Sequence, residues 1–360
     1  MQKKRGVFYA VDLFCGGGGL SQGLKDAGFK VVAGVELDAD AGVTYNANHP
    51  AAKLIDQDIR TVSGSQLLGA SPSGKIDLIA ACPPCQGFSS LTTKYKREDA
   101  RNSLIYEFVR LTEEIRPRAI MMENVPGLAL GRGKAMFEDA VKKFQSMGYE
   151  IDYKVCDVAD YGVPQHRRRL VMLGFLGKKV YVATKTHGKG KGLKPWRTVR
   201  ETLKDIPEPT IYCPQMALTG SVATSWNVVR KISECNIARL LAIPSEGDRR
   251  SLPRNLRPKC HQDSDKGFCN VYGRMKWDEP SPTITGGCTT LSKGRFGHPV
   301  AIRTISVYEA AKFQTFPDEY VFSVRSVDAV CKIIGNALPP LFAKVMAMQC
   351  MQALRNSDVA

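Results

Sequence analysis

Short apolar runs alternate with helical periodicities through the first half of the chain. Runs at residues 8–14, 31–36, 76–80, 119–123, 151–155 and 169–175 have the length and apolar continuity of buried strands. Between them, residues 20–27, 102–115 and 134–147 repeat their apolar positions with the helical period. This βαβα order predicts an α/β fold built on a doubly wound, largely parallel sheet. Such sheets bind ligands at the carboxyl ends of their strands. The conspicuous strings fall there: Gly16 follows the first run, Cys85 the third and Asn124 the fourth.

The pattern changes near residue 178. Residues 185–192 are glycine-rich and basic and read as a linker. From there to about residue 300 periodicity is poor, and proline, glycine and charge are frequent. Regular periodicity returns at 307–314 and ends in an amphipathic helix at 341–354, whose lead-in Pro339-Pro340 suits a first helical turn. The expected division is a first domain at 1–190, completed by 305–360, and a smaller irregular domain at 195–304. No apolar run reads as a membrane span. The basic start at residues 1–5 meets Asp12 and a glycine run before any proper apolar segment, so no signal peptide is expected.

Charge sharpens this division. The net charge is +16, yet residues 1–164 hold 20 basic against 20 acidic side chains, whereas residues 165–300 hold 25 against 10. A localised basic excess on a neutral scaffold points to a polyanionic partner. The eleven cysteines show no paired metal spacing, and no metal is expected. In a long chain with its own core they suggest a reducing cytoplasm rather than a disulfide framework.

The first strand runs into Gly16-Gly17-Gly18-Gly19 and then a helix, an arrangement that lets backbone approach a nucleotide closely. The dinucleotide fingerprint needs a third glycine, where this chain has Ser21 or Gln22, which counts against NAD. Glu36 ends the second strand about twenty residues on, where a carboxylate can bind ribose hydroxyls.

Four strings in order, Asp12-Leu13-Phe14-Cys15-Gly16-Gly17-Gly18-Gly19, Pro83-Pro84-Cys85-Gln86-Gly87, Glu123-Asn124-Val125 and Gln165-His166-Arg167-Arg168-Arg169, resemble the DNA (cytosine-5)-methyltransferase family. The resemblance extends to Ile334-Gly335-Asn336 and the following helix, and omits only about residues 178–269. It implies the Rossmann-like fold of S-adenosylmethionine-dependent methyltransferases and S-adenosyl-L-methionine as cofactor. Asp12, Phe14, Gly16, Gly18, Glu36, Leu37, Asp58, Ile59, Pro84 and Asn336 resemble its cofactor-binding positions. Of these, Phe14 looks like the aromatic on the adenine, Glu36 like the ribose ligand and Asp58 like the adenine amino acceptor.

The implied chemistry suits these residue types. Cytosine C5 is too poor a nucleophile to accept a methyl group directly, and a thiolate adding at C6 makes it enamine-like. Such an enzyme needs a cysteine, an acid near N3 and a base for the C5 proton. Cys85 resembles the nucleophile, Glu123 the carboxylate on the N3/N4 edge and Arg169 the guanidinium at O2, with Arg167 alongside. Gln165 looks like a support for that loop. A duplex hides the cytosine edges, so the family extrudes the base. The basic loop at 89–102 is expected to close over phosphates. Gln86, Ser89, Arg274 and Thr285 resemble DNA contacts, the last two within Tyr272–Thr285 at the end of a target recognition domain.

The resemblance thus implies a bacterial, monomeric enzyme that methylates C5 of cytosine in a specific double-stranded DNA sequence. It would act in the cytoplasm, associated with the nucleoid, with a cognate restriction endonuclease as a possible partner in a restriction-modification system. One departure stands out: the family usually has two glycines before Pro-Pro-Cys, where this chain has Ala81-Cys82. The resulting C-x-x-C has a redox dithiol as its rival reading. A tRNA cytosine-5 methyltransferase and a silent DNA-binding relative are the others. The Cys-Phe-Thr string usual in the tRNA branch is absent.

Overall fold

The computed structural model describes residues 6–84, 103–216, 218, 220–262 and 271–358. Cys85, Gln86, Ser89 and the expected closing loop at 89–102 lie outside the described residues. The chain divides into two compact units, one of Met1–Tyr161, Arg168–Lys185 and Leu338–Ala360, the other of Gly162–Arg167 and Thr186–Ala337.

The first unit opens with β1 (Tyr9–Leu13), α1 (Gly19–Asp26), β2 (Lys30–Val35), α2 (Ala39–Asn48), β3 (Lys53–Ile55) and α3 (Gly64–Leu68). It continues with β4 (Leu78–Ala81), α4 (Ile105–Ile115), β5 (Ala119–Asn124), α5 (Gly127–Leu130), α6 (Lys134–Ser146), β6 (Tyr149–Asp157) and β7 (Arg168–Leu176). The strands form one sheet in the order β3-β2-β1-β4-β5-β7-β6. The pairs among β1 to β5 are parallel, and β7 runs antiparallel to both β5 and β6. The order reverses between β1 and β4, which is the switch point where such sheets bind ligands.

Both faces of this sheet are covered, so its central strands read as continuous apolar runs. One face packs on α3, α4 and α6 through Leu67, Phe108, Leu111, Phe137 and Phe144. Among the elements that escaped the sequence reading are β3 and α2. The three-residue edge strand β3 is too short for a periodic signal. Helix α2 carries a glycine and several β-branched or polar residues, and depends on its Asp38 cap, which accepts from the Asp40 and Ala41 amides.

The second unit contains α7 (Val199–Leu203), the two-stranded β8 (Thr210–Ile211) and β9 (Val228–Val229), α8 (Val222–Ser225), α9 (Glu234–Ala242), α10 (Val307–Phe313) and α11 (Val327–Asn336), with long irregular stretches between. The glycine-rich stretch at 185–192 is not an open linker: Lys194 N–H donates to Thr186 O at 3.0 Å and Gly188 N–H to Lys194 O at 2.9 Å, closing a turn. The domain boundary also differs from expectation, because residues 305–337 belong to this unit rather than completing the first. The cause is packing: a Cβ on Gly335 would lie 2.2 Å from Gly286 N, so α11 sits directly on the Thr285–Gly286 backbone.

The chain returns to the first unit in α12 (Pro340–Ser357). It packs on α1 so closely that a Cβ on Gly23 would lie 2.4 Å from Ala343 Cβ. By length and composition alone, Val327–Ser357 would suffice to cross a membrane. Pro339 and Pro340 divide it into α11 and α12, and 61% of its apolar window is buried.

Candidate active site

In the first unit the carboxyl ends of β1, β2, β4 and β5 converge on one group of side chains. The turn after β1 is left-handed at Phe14, Gly16 and Gly18, with φ of 61°, 53° and 92°. A phenylalanine in this region costs energy, and such strain concentrates at ligand sites. Around an added Gly16 Cβ nothing lies within 4 Å, so the turn borders open space. Glu36, just past β2, accepts from Gly16 N–H at 2.8 Å on one oxygen and from Leu37 and Asp38 N–H on the other. Three amides hold this carboxylate, leaving it capacity for one further donor. Beside it Leu37 is 63% exposed, an unusual position for a large apolar side chain.

Asp12 lies fully buried at the base of the same turn. Ser21 Oγ donates to its Oδ2 at 2.7 Å, and among the described residues Oδ1 has no partner. Burial pushes this carboxyl up to about 7, opposed by the Ser21 hydrogen bond and reinforced by Glu36. A carboxyl raised above its unfolded value favours folding at low pH, and that advantage is lost as pH rises through the folded value. Three units correspond to about 4 kcal/mol. Asp12→Asn should therefore gain stability over wild type by up to about 4 kcal/mol between pH 4 and pH 8, with no gain at pH 4. Urea midpoints across that range check this; a pH-independent difference would contradict it.

Asp58 and Ile59 sit on the turn after β3. Asp58 caps that turn and pairs with Arg60 at 2.5 Å, which holds its carboxyl at about 2, below the usual range. At the next strands, Glu123 at the end of β5 is nearly buried, and Arg169 Nε reaches its carboxylate at 2.6 Å. Asn124 Nδ2 donates to Pro83 O at 3.0 Å, and its own oxygen receives Val125 N–H. The end of β5 is thereby tied to the Pro83-Pro84 segment that leads into Cys85.

In the second unit, two expected site residues take other roles. Arg167 is buried and donates to Ile284 O at 2.8 Å and Gly335 O at 2.9 Å. It clamps Ile284 to the end of α11, a structural role for a residue expected to be catalytic. Arg274, expected as a DNA contact, is likewise turned inward. Its guanidinium is buried and donates to the carbonyls of Leu240, Ile243, His298 and Ala301 at 2.8–3.2 Å. Gln165 links Ile284 N–H to Gln314, which in turn reaches Ile334 O and Ala337 O. Thr285 is half-buried beside this framework, and Asn336 is exposed at the end of α11. Sequence reasoning missed Gln314, whose signal was only a polar residue closing an apolar helical run.

Comparisons place the chain. The family model for C-5 cytosine-specific DNA methylases matches residues 8–352. A Type II methylase of Herpetosiphon aurantiacus, M.HgiDII, is 33% identical, the match covering 94% of this chain and 93% of that one. The Type II methyltransferase M.AgeI of Thalassovita gelatinovora is 30% identical over 94% of this chain and 97% of its own. A prophage-encoded DNA modification methyltransferase from E. coli has the same fold, with TM-score 0.73 at 24% identity over 96% of this chain and 99% of that one. The fold and the family match define a Rossmann-like methyltransferase. The chain belongs to the C-5 cytosine-specific DNA methylase family, and it is an enzyme that methylates cytosine in DNA.

Proposed function

We propose that the enzyme transfers a methyl group from S-adenosyl-L-methionine to C5 of one cytosine within a specific duplex sequence, with Cys85 as nucleophile. The observation that carries this reading is the Glu123–Arg169 pair, beside the Pro83-Pro84 lead-in to that cysteine. The cofactor residues fit: Glu36 is oriented with spare acceptor capacity, Phe14 and Leu37 offer apolar surface, and the Gly16 turn is open. Asp12, Gly18, Asp58, Ile59, Pro84 and Asn336 complete the proposed set. The cofactor, when bound, supplies an electrophilic methyl group.

The chain's own groups do the remaining work. The Cys85 thiolate forms a bond to C6, while protonated Glu123 donates to N3 and accepts from the N4 amino group. Arg169 steadies the charge at O2. After C5 has been alkylated its proton passes to water, the C6–S bond breaks, N3 returns its proton to Glu123 and the thiolate is released. The target base is extruded from the duplex to reach the thiol. Gln86, Ser89 and Thr285 remain proposed DNA contacts. We take the active form to be a monomer in the cytoplasm, and the Type II names of the relatives support a cognate endonuclease. Bisulfite sequencing of host DNA carrying the expressed gene tests the function: one short sequence should be protected throughout, and unmodified DNA would refute it.

Three of the twenty-five basic residues at 165–300, Arg167, Arg249 and Arg274, are buried and cannot meet phosphates. Lys189, Lys191, Lys194 and Arg197 are exposed around one turn and are better placed for that role. Four phosphate contacts give a slope of about −3.6 in log K against log salt. Binding titrations from low to moderate salt should show this steepness, and a slope shallower than about −2 would remove the basic segment as a DNA face.

A further inference from the structure

Residues 186–197 carry Lys189, Lys191, Lys194 and Arg197 and no Asp or Glu. The backbone bonds among Thr186, Gly188 and Lys194 close their turn from within. Two further contacts dock it on residues 162–167. His187 packs on Gly162, where an added Cβ would lie 2.9 Å from His187 Cε1. Trp196 meets the His166 ring edge to face, with ring centres 5.2 Å apart. The His166 backbone is itself tied down: its N–H donates to Ser281 O at 2.8 Å and its carbonyl accepts from Thr283 Oγ1 at 2.7 Å. Lys189 Nζ stands 6.0 Å from the centre of the Trp196 ring, so the indole orients one of the turn's cations. Burial, then the Lys194 and Arg197 charges, lower the His187 pKa, so this ring packs neutral at pH 7 and adds no repulsion.

Residues 162–167 lead straight into Arg169, assigned above to the cytosine O2. Three residues of chain from His166 to Arg169 span at most about 11 Å. A turn docked on His166 is therefore held near the nucleotide whose base Arg169 meets. We propose that the 186–197 turn clamps the phosphates flanking the extruded cytosine, with Trp196 and His187 as the positioning residues that dock it there. The inference rests on the roles given above to Arg169 and to the basic turn, and adds which phosphates the turn binds. Extrusion rotates a nucleotide about its own backbone, so its flanking phosphates are the points to hold. Cations fixed there favour the extruded geometry as well as binding, whereas a solvated basic loop adds affinity alone.

The test uses the full chain and cognate duplexes in which single phosphates are replaced by uncharged methylphosphonates, either beside the target cytosine or at the ends of the duplex. Binding constants and single-turnover methylation rates are measured for wild type, Lys189→Gln/Lys194→Gln, Trp196→Ala and Trp196→Phe. Neutralising a flanking phosphate should weaken wild-type binding about five- to tenfold and slow methylation. The same replacement should cost the lysine variant less than about twofold, because a charge and its partner act as one unit. Neutral phosphates at the duplex ends should cost both proteins equally. Trp196→Ala should lose the coupling as the lysine variant does, while Trp196→Phe, which keeps a ring between His166 and Lys189, should retain it. A tryptophan that served stability alone would leave the coupling intact, and that result would overturn its positioning role. Equal losses at the flanking phosphates in wild type and lysine variant would overturn the clamp, and this comparison decides even if Trp196→Ala fails to fold. A wild type that methylates no cytosine would sink the functional reading itself, whereas methylation without coupling sinks this inference alone.

Discussion

Cys85→Ser should lower methyl transfer by at least about a thousandfold while leaving duplex binding within a few-fold of wild type. The reason is nucleophilicity. A free thiol near pKa 8.5 is about a tenth ionised at pH 7.5, and local activation raises that fraction. A serine hydroxyl is far less acidic and supplies almost no oxyanion to add at C6. The substitution removes one sulfur and leaves the Glu123–Arg169 pair and the basic turn at 189–197 untouched. Transfer of labelled methyl groups, alongside a binding titration on the same preparation, reads both quantities. A Cys85→Ser enzyme within tenfold of the wild-type rate would remove the nucleophile assignment.

Arg274→Met should destabilise the protein by about 3–5 kcal/mol, a large fraction of a domain's stability. Methionine fills much of the stem volume but satisfies none of the four carbonyls that the guanidinium serves at Leu240, Ile243, His298 and Ala301. Lysine should not rescue it, because one ammonium cannot reach four acceptors disposed around a planar fork. Urea denaturation gives the stability, and the methylated sequence recovered at a permissive temperature gives the specificity. The structural role predicts lost stability with the target sequence unchanged. Unchanged stability with an altered target would restore Arg274 as a base contact.

Legibility differed between the two halves for a physical reason. Parallel strands are buried on both faces, so the runs around Val11, Ile79 and Ile120 announce themselves, and the sheet follows from their alternation with helices. The antiparallel direction of β7 is not written in its apolar run, because burial is the same in either direction. In the second unit, short elements are held by specific polar bonds, such as the buried Arg303–Glu309 pair at 2.9 Å, rather than by periodic apolar faces. Such bonds leave no periodicity to read.

The same division holds at the site. Sequence by itself determined the reaction class, because the thiol, the carboxylate, the guanidinium and the glycine turn occur in a fixed order with fixed neighbours. It also placed Glu36 and Glu123 within one residue of the carboxyl ends of strands, since strand ends follow from apolar runs. Only the tertiary structure decided what each arginine does. Arg167, Arg169 and Arg274 are chemically identical in a sequence. Burial against backbone carbonyls turns the first and third into clamps, whereas a carboxylate at 2.6 Å makes the second part of the candidate site. A guanidinium carries the same charge everywhere, and its function depends on which acceptors the folded chain places around it.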